Sequence, residues 1–221
     1  MSIVGQASPL IDWAWIGRHW DEIVDRTWEH LYLTLVPVAL GLVISLALSM
    51  VAIRWRRTYA PITLATGVLY TIPSLATFAL LVPVVGLNAT NAIIALTSYT
   101  LLILIRNIVA GIDGVPPSVL EAADGMGYSR RDRFWRMEVP LALPVIIAGL
   151  RIATVTTVGL VTVSVVIGLG GYGFFILRGF NTFFLTQTLL GVVLSVALAT
   201  ILDLSFVGLQ RWLTPWQRSR A

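Results

Sequence analysis

The sequence predicts an all-α membrane protein. It has about five transmembrane helices, an N-terminal interfacial amphipathic helix and a short helix on its longest inner loop. Three observations carry this. Of the 221 residues, 57% are hydrophobic and 12% charged, against roughly 25% charged in soluble domains. That is too few charges to cover a water-facing surface. Apolar runs recur at the ~20 residues a helical crossing needs. Arginine and tryptophan collect at the ends of those runs, as topology signals and interfacial anchors do.

Several chemistries are excluded at once. Cysteine is absent, which removes disulfides and thiolate metal sites. His19 and His30 both precede the first long apolar run, which argues against a histidine metal centre. All 15 basic residues are arginine, so no Gly-rich phosphate loop ending in Lys-Ser/Thr exists. The net charge of +4 does not point to nucleic acid, because the arginines flank the apolar runs.

Residues 1–30 form an N-terminal segment in which Trp13, Trp15, Trp20 and Trp28 alternate with Asp12, Asp21, Glu22, Asp25 and Glu29. This reads as an interfacial amphipathic helix. It lacks the basic start and apolar core of a signal peptide. Residues 31–210 hold spans at about 31–53, 60–84, 91–112, 140–168 and 187–209. Residues 211–221 form a tail.

Arg54, Arg56 and Arg57 follow the first span, Arg130, Arg131, Arg133 and Arg136 lie between the third and fourth, and Arg211, Arg218 and Arg220 lie in the tail. The positive-inside rule puts these segments in the cytoplasm and the N-terminus outside. Trp55, Trp135, Trp212 and Trp216 then lie near the inner face and the other four near the outer. The expected location is the plasma membrane of a prokaryote.

The inner loop, about 113–139, carries the most specific pattern. Pro116 and Pro117 open a short helix through Glu121, Ala122 and Ala123. Gly125 and Gly127 end it. Ser129 caps a second helix, with Asp132 three residues on. Pro140 and Pro144 restart the chain into the membrane. Physics alone leaves two readings open, an ordinary interfacial loop or a rigid element built to dock a partner.

The stretch Glu121-Ala122-Ala123, with Gly127 four residues on and Val139-Pro140 after it, resembles the "EAA" signature of permease subunits in ATP-binding-cassette importers. Met137 and Val139 stand where that signature has Ile and Leu. The resemblance implies that the loop is a coupling helix, with Glu121, Ala122, Ala123, Gly125, Gly127 and Pro140 docking a cytoplasmic ATPase. ATP and magnesium would then sit in that separate subunit, and this chain would hold no cofactor. It also implies a second permease, identical or related, and an extracytoplasmic substrate-binding protein.

Thr71-Ile72-Pro73-Ser74-Leu75-Ala76, Leu143-Pro144-Val145-Ile146-Ile147-Ala148-Gly149 and Ile167-Gly168-Leu169-Gly170-Gly171-Tyr172-Gly173 resemble the osmoprotectant branch, which imports glycine betaine, carnitine, choline or proline betaine. An importer for another small solute such as an amino acid, and a stand-alone secondary transporter, remain the rivals. Against the second, no inverted repeat is visible and ionisable residues inside the spans are few.

Thr63, Thr66, Gly67, Tyr70, Ser74 and Thr77 share one face of the second span, and Arg151, Thr154, Thr157, Thr162, Ser164 and Gly168 a broader face of the fourth. Such residues either pack helices closely or line a weakly polar path. The path candidates are Tyr70, Ser74, Thr77, Thr154, Thr157 and Ser164. No Trp lies in a span core, so a quaternary-ammonium cage is expected in the external binding protein instead. Asp203 is the only acidic residue well inside a span and needs a partner. Arg151 and Arg106 are the candidates. Gly168, Gly170, Gly171 and Gly173 favour a sharp bend in the outer loop, which either gates the path or touches the binding protein.

Overall fold

The computed structural model describes residues 11–216, and among these there is no strand. The helices are α1 (Trp13–Arg18), α2 (Trp20–Arg54), α3 (Tyr59–Thr71), α4 (Ser74–Val85), α5 (Ala89–Asp113), α6 (Pro117–Gly125), α7 (Arg130–Arg133), α8 (Val139–Val163), α9 (Gly173–Asn181) and α10 (Leu185–Leu213). Helices α2, α5 and α10 and the continuous stretch Arg130–Ile167 are long and apolar enough to cross a membrane. The pair α3 and α4 makes a fifth crossing if its two arms count as one span. Arg218 and Arg220 lie outside the described residues.

Helix α5 is the centre of the bundle, packed between α2 and α8 and touched by α3 and α4. Its Ala92, Ala95, Leu96, Leu104 and Ile105 are fully buried. Both main crossings depend on missing side chains. A Cβ on Gly41 of α2 would lie 1.8 Å from Thr100 Oγ1, and one on Gly149 of α8 would lie 2.4 Å from Asn107 Cβ. Between apolar helices in lipid, close packing of this kind replaces the hydrophobic drive.

The structure corrects four boundaries. The division expected at residue 30 falls inside α2, which runs unbroken for 35 residues, about 50 Å at 1.5 Å per residue. Nothing between residues 20 and 35 stops a helix, and Asp21 and Glu22 favour its N-terminus. Only the six-residue α1 is separate, capped by Asp12 on the Trp15 N–H at 2.9 Å. Trp15 is no interfacial anchor: it is 9% exposed, stacked on His19 and edge-on to Phe175 and Phe184. Trp13, Trp20 and Trp28 are exposed.

The second span is not one helix. It bends by 95° between α3 and α4, where Ile72 and Pro73 take extended backbone. Pro73 lacks an N–H and drives the residue before it out of the helical region. The stripe from Thr63 to Thr77 is therefore split over two helices. At the break, Tyr99 Oη donates to Ile72 O at 2.5 Å and meets Thr77 Oγ1 at 2.7 Å. Buried Asn91 satisfies α4 by donating to Phe78 O and Gly86 O, at 3.1 and 3.0 Å.

Pro140 does not restart a helix. A π-helical turn, Phe134–Glu138, carries α7 into α8, with the Val139 N–H reaching back to Phe134 O. Finally, α9 fills what reads in the sequence as loop between the last two spans.

Gly149→Leu is expected to push α5 and α8 apart and destabilise the protomer by about 1–3 kcal/mol, seen as a lower thermal midpoint in detergent. Gly159→Leu, on the same helix with nothing within 4 Å, is expected to leave that midpoint unchanged.

Candidate functional site

Helix α6 lies at the end of the bundle where α2 and α5 finish. Its stop is built by hydrogen bonds: the Tyr128 N–H donates to Ala123 O at 3.1 Å and the Gly127 N–H to Asp124 O at 3.0 Å. This is a Schellman closure, which needs a left-handed residue. Gly127 supplies it at φ 82°. Gly125 takes no part in the stop and stays helical. Ala123 is buried, while Glu121, Ala122, Gly125, Met126 and Gly127 are exposed. Met126, an apolar side chain 65% exposed beside the stop, is absent from the sequence-based set. Pro140 lies apart from this face, in the first turn of α8.

One arginine fastens this element to the membrane-crossing helix. Arg133 Nη1 donates to both Asp124 carboxylate oxygens, at 2.9 and 2.7 Å, and its Nε donates to Glu138 at 3.0 Å. Asp124 is on α6 and Glu138 in the π turn, so this arginine bridges α6 to the start of α8. Ser129 accepts the Asp132 N–H at 3.1 Å, and its hydroxyl donates to the Asp132 carboxylate at 2.5 Å. At the same end Arg56 pairs with Asp113, which holds the guanidinium above its ordinary range. That pair ties the α2–α3 turn to the end of α5.

The path candidates separate into two groups. Thr154, Thr157 and Ser164 are buried inside the protomer and donate to Leu150 O, Ala153 O and Val161 O of their own helix. They pack helices and do not line an open path in this protomer. Ser74 and Thr77 are half-buried at the break. Tyr70 is 39% exposed. With Thr63, Gly67, Thr71 and Arg106 it lines a groove of about 500 Å³ between α3 and α5.

Asp203 takes Arg151 and not Arg106. The contact is bidentate, with Nε to Oδ1 at 2.7 Å and Nη2 to Oδ2 at 2.8 Å. The pair joins α8 to α10 and borders a second groove, of about 540 Å³.

At the opposite end, the glycine segment is fixed by His30, which the sequence left without a role. The Tyr172 N–H can only donate, so His30 Nδ1 accepts it at 3.2 Å. Nε2 then carries the proton and donates to Val158 O at 3.1 Å. Gly168, Gly170 and Gly171 all have positive φ, which makes the bend sharp as expected. A Cβ on Gly171 would sit 2.6 Å from His30 Cβ, and one on Gly173 would sit 2.1 Å from Thr162 O. Burial pushes the Tyr172 phenol up, while its hydrogen bond to Thr27 at 3.0 Å opposes that.

The fold is thus a bent span pair packed on a buried central helix, with a surface helix at one end. The fold matches a chain of the inward-facing MetNI methionine ABC transporter with TM-score 0.76 at 21% identity, covering 89% of this chain and 98% of that one. It also matches a chain of an amino acid ABC transporter solved with histidines, with TM-score 0.72 at 18% identity, covering 93% and 98%.

Residues 41–219 match the family described as binding-protein-dependent transport system inner membrane component, and the chain belongs to that family. It is therefore a multi-pass inner-membrane transport component and not an enzyme. The glycine betaine/carnitine/choline transport system permease protein OpuCB of Bacillus subtilis is 34% identical over 194 residues, covering 88% of this chain and 89% of that protein. The osmoprotectant import permease protein OsmW of Salmonella typhimurium is 34% identical over 198 residues, covering 87% and 92%.

Breaking the α8–α10 ion pair leaves one charge inside the membrane. Asp203→Asn and Arg151→Met are each expected to lower the thermal midpoint in detergent. The double variant is expected to recover much of it, because the two side chains act as one unit.

Proposed function

We propose that this chain is the permease subunit of an ATP-driven, binding-protein-dependent importer of a compatible solute such as glycine betaine, carnitine, choline or proline betaine. The observation that carries the coupling role is the exposed Glu121–Gly127 face, locked by Arg133 to the start of α8. A partner that grips α6 can move the long helix only if the two are linked, and Arg133 bridges them through Asp124 and Glu138. The solute class follows from the permeases of glycine betaine, carnitine and choline systems that this chain resembles at 34% identity.

In this reading the arginine-rich end faces the cytoplasm, with the N-terminus outside and the C-terminus inside. A cytoplasmic ATPase docks on α6 and holds the ATP and magnesium. A second permease, identical or related, completes the conduit. An extracytoplasmic binding protein delivers the solute at the His30–Gly171 end.

Glu121→Arg combined with Gly127→Val is expected to abolish co-purification of the partner ATPase, because one reverses the charge of the docking face and the other cannot hold the left-handed stop. Arg133→Gln is expected to keep the ATPase bound while glycine betaine uptake falls several-fold, since docking survives but transmission does not. Uptake that continues without any ATPase would instead favour a stand-alone transporter.

A further inference from the structure

Arg106 is a charge with no carboxylate. It lies seven residues before the end of α5, about 10 Å inside the span at 1.5 Å per residue. Among the described residues none pairs with its guanidinium, and the side chain is exposed. A second copy of the chain offers no counter-ion at that depth either. Of the 11 acidic residues, Asp203 alone lies well inside a span, and Arg151 holds both its oxygens. The others lie toward the two ends of the bundle. Ionisable groups inside a membrane face a polar cavity and mark the route of a charged cargo.

The surroundings of Arg106 narrow the cargo. It shares its groove with Leu102 on α5 and with Thr63, Gly67, Tyr70 and Thr71 on α3. Gly67 has nothing within 4 Å of its Cβ position, so the groove wall is open there. The Tyr70 ring is set edge-on against Tyr99, with centroids 6.0 Å apart, and Tyr99 is itself held at the helix break by Ile72 O. A guanidinium binds a carboxylate through paired N–H donors. An aromatic ring attracts a quaternary ammonium. The two features therefore match a zwitterion that carries both groups.

We propose that this groove is a transient station on the path, where Arg106 takes the carboxylate of a betaine-type solute and Tyr70 presents its ring to the quaternary ammonium. Exposure keeps the station weak, as a conduit requires. The proposal rests on the permease reading above, and adds that the permease itself distinguishes solutes with a carboxylate from those without one.

The test uses the intact importer, reconstituted with its ATPase and binding protein, and two radiolabelled probes. Glycine betaine has a carboxylate and choline has none. Arg106→Gln is expected to lower glycine betaine uptake about tenfold, the scale of a lost charge-assisted hydrogen bond, with choline uptake within twofold of wild type. Arg106→Lys, which keeps the charge but not the fork, is expected to shift the betaine-to-choline ratio in the same direction by a smaller factor. Tyr70→Leu is expected to lower both.

An equal fall for the two probes in both Arg106 variants would show a structural or subunit-pairing role and overturn the station, leaving the importer reading intact. A wild-type complex that carries choline but not betaine would overturn it as well. A wild-type complex that carries neither would remove the solute reading and the station together.

Discussion

Helix α5 is buried between α2 and α8, and each crossing depends on a glycine facing a side chain of α5. Gly41 accommodates Thr100 and Gly149 accommodates Asn107. In lipid there is no water to expel between apolar helices, so contact distance decides association. With these two crossings closed, α5 becomes a fixed post. The bent pair α3 and α4 packs on its third side, where Tyr99 of α5 reaches the break at Ile72. The groove that contains Arg106 runs between α3 and α5, on the α3 side of that break.

Against this post the two ends of the protomer are fastened differently. One end is tied by charge. Arg133 joins Asp124 to Glu138, and Arg56 joins the α2–α3 turn to Asp113. These ties sit in exposed positions, so they link α6 and the α2–α3 turn to the bundle without burying them. The opposite end is tied mainly by neutral hydrogen bonds and close packing, with the Arg178–Glu22 pair between α9 and α2 at 3.6 Å beside them. His30 takes the Tyr172 N–H, and Gly171 fits against the His30 side chain because it has none of its own. A sharp left-handed turn is thereby held in a space too small for a Cβ.

The Arg151–Asp203 pair belongs to neither end. It joins α8 to α10, and α10 is otherwise the least buried of the long helices. Two opposite charges cost less together than apart in a low-dielectric medium, so the pair fixes which faces of α8 and α10 meet. Packing alone would fix this poorly between helices so uniformly apolar.

Composition and spacing determined the membrane class, the approximate spans and the Glu121–Gly127 helix with its glycine stop, because hydropathy, proline starts and left-handed stops are local properties. The need of Asp203 for a basic partner was local too, and its depth narrowed the choice to Arg151 or Arg106. Tertiary structure decided what depends on who sits opposite. It split the second span at Pro73 and ran α2 through residue 30. It turned Thr154, Thr157 and Ser164 inward, and it gave Trp15 to the core. It also made His30 a fastening between distant segments, which one sequence cannot show because Val158 and Tyr172 lie more than a hundred residues away. Arg106 illustrates the division. Its place in a span is written in the sequence, but its lack of a partner among the described residues appears only once the acidic side chains have been located in space.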